Sequence, residues 1–520
     1  MKNIVRLIPI TIFFLMCGCG QKRFGSISIT SSPMGASVYL DGTATGQKTN
    51  LVLDSLEVGE HTLKLSLTGY EDYYDTVAVV ADDTVEVSAA LKALPFYGAI
   101  QVNSTPTGAA IYLDGVTTNH STNYLLTDIP VGSHTIKLAK TGYVDRQDTV
   151  VVVKNDTVEV SAVLTQAAGA VRVNSEPTGA AVWLDTVNTG WTTNCVVTGV
   201  PVGSHAVKLI KPEYQDYDTA VLVVQDETTE VSAALVRAYQ IFGSCNTPGF
   251  TYAAVVAGNY AYVADGDSGL AVVDLSDRSQ PHIVGSIKTS GKALGITLKG
   301  SFVLLAAAGG LVVVDVTNPA SPATVATCAL AGTPTGVFAS GDYAYVAAGS
   351  AGLLIVNVAN PSAPTLASSY QTSGPAKAVF VFGNNAYVAT GSAGLEIVDI
   401  SLPWNPRLVG KTDTPGDACG ISVTGSYTYI ADGSAGLEII SGTKTGNFDT
   451  PDYAQGVFGM NNYAYVVDRS AGLFIVDAVL PLEPKLIGRC DTPGQAQSVW
   501  VSGSYIYISD GDAGLEIIKL

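Results

Sequence analysis

The sequence predicts an all-β chain: three tandem small β-sandwich domains followed by a seven-bladed β-propeller. Three observations predict it. A block of about 70 residues recurs three times, and a block of about 42 residues then recurs seven times. Apolar and polar residues alternate with period two through both kinds of block, which is a strand signature. Only 14% of the 520 residues are charged, while 47% are hydrophobic and 54 are glycine. That is too apolar for a disordered chain and suits many short strands joined by uncharged turns. The balance of 27 basic against 45 acidic residues gives a net charge of −18. Nucleic acid is therefore not an expected partner, since phosphate neutralisation needs clustered Lys and Arg.

The N-terminus reads as an address. Met1 to Arg6 is short and basic, and Leu7 to Met16 is an apolar run. The run is too short to span roughly 30 Å of hydrocarbon and has the length of a signal-peptide core. Met16-Cys17-Gly18-Cys19 follows and resembles the bacterial lipobox, in which a small residue precedes the lipid-bearing cysteine. The resemblance implies a lipoprotein signal peptide over 1–18, lipidation at Cys19 and a short tether over 19–24. Cys17 fits the acceptor position less well than Cys19, and an ordinary secretory signal is the alternative reading. Several acyl chains anchor firmly, because each buried CH₂ contributes about 0.8 kcal/mol. Gly20, where an Asp would retain the protein in an inner membrane, favours outer-membrane sorting. The expected location is the bacterial cell envelope, lipid-anchored, at the outer membrane or cell surface. The other five cysteines, Cys195, Cys245, Cys328, Cys419 and Cys490, are isolated and read as small buried apolar residues.

Three sandwiches follow. Ser31-Ser32-Pro33-Met34-Gly35-Ala36 returns as Ser104 to Ala109 and as Ser175 to Ala180. Each copy carries an Asp turn (Asp41-Gly42, Asp114-Gly115, Asp185-Thr186) and a histidine opening a strand (His61, His134, His205). Five to seven short strands per copy make a small antiparallel sandwich. These marks resemble the PEGA domain, with Met or Thr in place of its Glu and Thr186 in place of the turn glycine. The copies are placed at 25–94, 97–166 and 168–237. The family is common in bacterial surface proteins, and the resemblance implies no enzymatic activity. A histidine repeated at equal spacing reads as scaffold, hydrogen-bonded or packed locally.

A propeller is placed at 238–520. Its anchor is Gly-Leu followed by an apolar strand, at Leu270, Leu311, Leu353, Leu395, Leu437, Leu473 and Leu515, in steps of 41, 42, 42, 42, 36 and 42. Four strands in about 42 residues is one blade. Leu311-Val312-Val313-Val314-Asp315 and Leu395-Glu396-Ile397-Val398-Asp399 resemble LVIVD repeats. Blade 5 is short, with its connection trimmed to Ser441 to Gly446. The last unit stops one strand early at Leu520, and Tyr239 to Gly249 matches Lys485 to Gly494. The N-terminal strand should therefore complete blade 7 and remove the open edges.

Catalytic motifs are not found, and the one propeller histidine, His282, reads as surface decoration. One asymmetry remains. Asp265, Asp432, Asp468 and Asp510 lie five residues before their Leu anchors, in a contiguous arc of blades 5, 6, 7 and 1. Asp267 and Asp512 sit two residues further on. Asp413, Asp417, Asp449, Asp452 and Asp491 lie in the loops entering blades 5, 6 and 7, whereas Lys288, Lys292 and Lys377 enter blades 2 and 4. Two readings compete: solvated turn residues, or a recognition face for a cationic partner, for Ca²⁺ or for a glycan held through Ca²⁺. Asp265 with Asp267 and Asp510 with Asp512 are the local Ca²⁺ candidates, although Ca²⁺ wants six to eight oxygens. No other cofactor is expected.

The expected whole is a non-catalytic envelope lipoprotein, with a PEGA stalk displaying a propeller that binds an envelope or extracellular protein or glycan. A carbohydrate-binding module is one alternative and needs exposed aromatics on one face. A propeller hydrolase or lyase is another, and needs His, carboxylate or Tyr groups converging at the channel mouth.

Overall fold

The computed structural model describes residues 22–520, and its regular structure is all β. Cys19 and the signal-peptide reading lie outside the described residues. The chain divides into two compact units, the second beginning at Ala168. The first holds two sandwiches, and the second holds the third sandwich and the propeller.

In the first sandwich, Thr43–Lys48, Ser37–Leu40, Gly59–Ser66 and Tyr73–Val79 form one sheet in that order. Leu51–Glu57, Phe24–Ser32 and Thr84–Ala90 form the other, and both sheets recur in the other copies. Alternation sets the layers: Ile27 and Ile29 from one sheet and Leu63 and Leu65 from the other meet in the core, at 1% exposure or less. One pairing departs from the antiparallel expectation. The first strand runs parallel to the last, with Ile27 beside Val85. The chain crosses to the other sheet between them, which supplies the long connection a parallel pair needs.

Asp41 and Gly42 both adopt left-handed φ, 48° and 78°, as a tight hairpin turn requires. Asp185 and Thr186 do the same at 47° and 70°, so the third copy makes this turn with a β-branched residue, at a cost in strain. The turn carboxylate then holds the repeated histidine. His61 Nδ1 donates to Asp41 Oδ2 at 2.6 Å and its Nε2 to Glu57 O at 2.8 Å, while Thr62 N donates to Asp41 Oδ1 at 2.8 Å. The arrangement recurs at His134 with Asp114 and at His205 with Asp185. A buried hydroxyl pair, Ser31 with Thr49 at 2.5 Å, also recurs in each copy and was not foreseen.

The propeller has seven blades, each with its strands in order from hub to rim. The inner strands are Ala253–Ala257, Ala293–Lys299, Gly336–Ser340, Ala378–Phe382, Gly420–Thr424, Ala454–Met460 and Ser498–Ser502. Each packs on the next, and the last returns to the first, so the ring is closed. Closure occurs where the sequence placed it: Ile241–Cys245 pairs antiparallel with Leu515–Lys519, with Cys245 beside Leu515 and Ile241 beside Ile518. Blade 5 keeps its four strands. Its last connection is a turn from Ser441 to Lys444, tighter than expected, so Lys444 and Gly446 join the outer strand. Arg237 and Ala238 pair parallel with Gly488 and Arg489, adding a fifth strand to blade 6.

The aspartate ending the LVIVD strand has a local role. Asp274, Asp315, Asp399 and Asp477 each accept from the backbone N–H two residues on, at 2.7–2.9 Å, and turn the chain toward the outer strand.

Candidate functional site

The four anchor aspartates are not surface groups. Asp265, Asp432, Asp468 and Asp510 are fully buried. In blade 5, Thr414 Oγ1 donates to Asp432 Oδ1 at 2.6 Å and Gly416 N donates to Oδ2 at 2.7 Å. Thr247 and Gly249 hold Asp265 in the same way, and Thr492 and Gly494 hold Asp510. In blade 6, Asp452 N donates to Asp468 Oδ2 at 2.9 Å. Burial pushes the pKa of all four above the ordinary carboxylate value. Each is a latch tying the loop that enters a blade to the turn between its second and third strands. In blades 2 and 4, which lack the aspartate, the same threonine turns to its own loop: Thr289 and Thr372 donate to Gly291 O and Gly374 O.

This removes those four residues from the expected acidic recognition face. Of the proposed residues, Asp267, Asp413, Asp449, Asp452, Asp491 and Asp512 are exposed. Asp413 and Asp491 face Lys411 and Arg489, and Asp452 accepts from Ser470 Oγ at 2.6 Å. The Ca²⁺ candidates are split, because Asp265 and Asp510 have both oxygens engaged inward while Asp267 and Asp512 point to solvent. Among the described residues no three His, Cys, Asp or Glu side chains gather in a metal-holding group.

The polar groups that do converge sit at the hub. The inner strands enclose a channel of about 470 Å³. One residue per blade rings it: Tyr252, Leu294, Thr335, Lys377, Cys419, Gln455 and Gln497. Each lies at the start of an inner strand, where the side chain points to the axis. Val337, Val379 and Val457 supply apolar wall below.

Blades 4, 5 and 6 build a connected cluster on this ring. Lys377 Nζ donates to Asp417 Oδ2 at 2.6 Å and lies 3.5 Å from Cys419 Sγ. Tyr453 OH donates to the same Asp417 oxygen at 2.5 Å and lies 3.4 Å from Cys419 Sγ. Arg469 stacks its guanidinium 4.1 Å from the Tyr453 ring centroid and donates to Gln455 Oε1 from Nε and Nη2, at 3.2 and 3.0 Å. Lys292 stands 4.9 Å from the Tyr252 ring.

The protonation states follow from these contacts. Burial, then the bond to Asp417, pushes the Tyr453 phenol far above its usual range. Burial pushes the Cys419 thiol up. Burial opposes the charges of Lys377 and Asp417, but their mutual bond outweighs it, so the amine rises and the carboxyl falls. At neutral pH the cluster holds a phenol, a thiol, an ammonium and a carboxylate. It can donate hydrogen bonds and hold charge, and its thiol and phenol are both protonated.

Sequence reading paired Asp417 with the acidic arc and Lys377 with a separate basic side, whereas the structure joins them. It missed Cys419, Tyr453, Gln455 and Arg469. The signal was present: the ring residues lie five positions after the Thr that opens most entering loops, and the latch aspartate lies eighteen after it.

A family model described as the LVIVD repeat matches residues 248–289, 290–329, 331–372, 373–414, 415–441, 451–492 and 493–519. One described as the PEGA domain matches 24–94, 97–168 and 168–238. No curated protein matches. Among solved structures, the chain is similar to the computationally designed Ika8 protein, at 10% identity over 67% of this chain and 99% of that one, with a TM-score of 0.42. It is also similar to the WD40 propeller domain of Doa1, at 10% identity over 54% and 96%, with a TM-score of 0.45. BamB from Moraxella catarrhalis matches at 15% identity over 52% and 94%, with a TM-score of 0.39.

Proposed function

This chain belongs to the LVIVD-repeat family and carries three PEGA domains ahead of its repeats, and from that membership we propose a non-catalytic binding protein of the bacterial cell envelope. It is anchored by lipid at Cys19, at the outer membrane or cell surface. The propeller's loop face binds an envelope or extracellular protein or glycan. The observation that carries the binding reading is the closed ring. It brings the loops of seven blades to one face around a 470 Å³ channel whose mouth holds Lys377, Asp417, Tyr453 and Arg469. A rigid frame with a broad loop-built face suits recognition.

Groups of the kind a propeller hydrolase needs do meet at this mouth. Their resting states favour binding over catalysis, since Tyr453 and Cys419 stay protonated and Lys377 stays charged. Of the strand-two tyrosines, Tyr262, Tyr345, Tyr429, Tyr465 and Tyr507 are 6% exposed or less, and Tyr260, Tyr343, Tyr387, Tyr427, Tyr463 and Tyr505 are half-buried, so none presents a fully open ring face to a sugar.

The test has two arms. Cys19→Ala should move the protein from the membrane to the soluble fraction. The chain from residue 22 onward, probed on glycan and surface-protein arrays, should capture a partner and lose it when Asp413, Asp449 and Asp491 are replaced together with Arg469. Silence on both arrays would overturn the binding reading.

A further inference from the structure

We propose that the channel mouth binds a small ligand through a single carboxylate, held by the guanidinium of Arg469. The proposal rests on the binding reading above and names the ligand chemistry.

Arg469 occupies an unusual place in the repeat. The residue after the latch-aspartate position is glycine in five blades, at Gly266, Gly349, Gly391, Gly433 and Gly511, with φ between 54° and 64°. Blade 2 has Ala307 there. Blade 6 alone places a long charged side chain at this turn. A Cβ on Gly433 would lie 2.9 Å from the Tyr453 ring, so the position is normally kept bare to admit the next blade's side chain. Arg469 instead folds back over Tyr453 of its own blade.

Its guanidinium is fixed and incompletely used. Tyr453 supports one face, and Gln455 takes the edge formed by Nε and Nη2. The edge formed by Nη1 and Nη2 is left for a ligand. Among the described residues Arg469 makes no carboxylate contact. A planar fork held on two sides is organised for two parallel N–H···O bonds, and little freedom is lost when a carboxylate arrives.

Charge selects the class of anion. Lys292, Lys377 and Arg469 bring three positive charges to the mouth, and Asp417 and Asp452, whose carboxyls both feel the Arg469 charge, bring two negative, which leaves one net positive charge. That matches a monoanion. A dianion would bring its second charge toward Asp417. Behind the mouth, Val337, Val379 and Val457 offer an apolar wall to the rest of the ligand, and the 470 Å³ channel falls within the usual range for small-molecule sites.

The experiment is calorimetry on the chain from residue 22 onward. Two monocarboxylates distinguish the source of the group: galacturonate stands for an acidic sugar and N-acetylalanine for a peptide terminus. Each is compared with its methyl ester. One acid or both should bind while the ester stays silent, and the acid that binds identifies the source. Arg469→Gln should weaken binding by about tenfold or more. Arg469→Lys should weaken it as well, because an ammonium lacks the fork. Asp417→Asn, which removes the local negative charge, should tighten binding several-fold, and it gives a readout opposite in sign to misfolding. The proposal falls if neither acid binds at millimolar concentration, if an ester binds as well as its acid, or if Arg469→Gln leaves binding unchanged. An array partner whose capture survives Arg469→Gln would remove the carboxylate grip and leave the binding reading standing.

Discussion

Thr414 and Asp432 meet at 2.6 Å across eighteen residues of chain, and their bond locks the loop entering blade 5 to the turn beyond its second strand. The carboxylate is fully buried, and both its oxygens are used. Removing it leaves Thr414 Oγ1 and Gly416 N without acceptors. Asp432→Ala should therefore cost about 1–3 kcal/mol of propeller stability. Asp267→Ala, at an exposed position of the same acidic set, should stay within about 0.5 kcal/mol. Equal midpoints for the two variants in urea unfolding would refute the latch.

The fold was legible because each level of sequence agreed with the next. Alternation gave strands, repeats gave modules, and the match between Tyr239 and Lys485 gave the closing strand. The aspartates misled for a physical reason. Asp265 and Asp267 stand two apart in one loop, and only the fold decides which turns inward to Thr247. Lys377, Asp417 and Tyr453 belong to three blades, and they meet only because the ring brings successive inner strands side by side. Repeat alignment does give the hub position of each blade. Arg469 is hidden from that reading, since it reaches the mouth from a turn that is glycine almost everywhere else.

The sandwiches should lose stability at both ends of a pH window. Both nitrogens of His205 face acceptors, Asp185 Oδ2 at 2.5 Å and Pro201 O at 2.7 Å, so the ring is held as the cation. The bond to Asp185 raises the His205 pKa, and the bond to Asp114 raises that of His134. This stabilisation is fully present below the ordinary histidine value of about 6.5 and is lost as pH rises through the folded pKa. Asp185, lowered by His205 and then by the Ala206 backbone, contributes above about pH 4 and is lost as pH falls. Thermal melts should plateau between these limits. His205→Gln should remove part of the alkaline decline, and an unchanged alkaline limb in the His134→Gln, His205→Gln double variant would sink the assignment.

Glu516 acts in the opposite direction. It is 2% exposed, and its Oε2 lacks a hydrogen-bond partner. Burial, then the nearby Asp510, pushes its pKa up to about 7 from 4.5. The folded state therefore binds the proton more tightly than the unfolded state. Stability falls as pH rises from the unfolded value through about 7, where the folded carboxyl ionises. Glu516→Gln keeps the shape without the charge. It should stabilise the propeller by about 3 kcal/mol at pH 8 and change little at pH 4. Denaturant unfolding at the two pH values checks it, and equal gains at both would show that the carboxyl does not titrate there.

Gly243 decides how closely the ring can shut. It sits in the strand that closes blade 7, and a methyl group added there would lie 2.1 Å from Arg278 O in blade 1 and 3.2 Å from Pro281 Cδ. The same contact recurs at ordinary blade joints: Gly285 would meet Pro319 O at 2.2 Å and Gly446 would meet Pro481 O at 1.8 Å. The closing strand is therefore packed against the next blade's connection like any other outer strand. A Cβ cannot be absorbed by a side-chain shift, because the obstacle is backbone. Gly243→Ala must push Ile241–Cys245 outward, away from Arg278. The strain should cost about 1–3 kcal/mol. It should also speed hydrogen exchange along Leu515–Lys519, whose partner strand has moved. Ser244→Ala, one residue on and exposed, should do neither. If Gly243→Ala exchanges like the parent along Leu515–Lys519, the seam does not depend on this contact, and closure rests on the backbone pairing of Ile241–Cys245 with Leu515–Lys519.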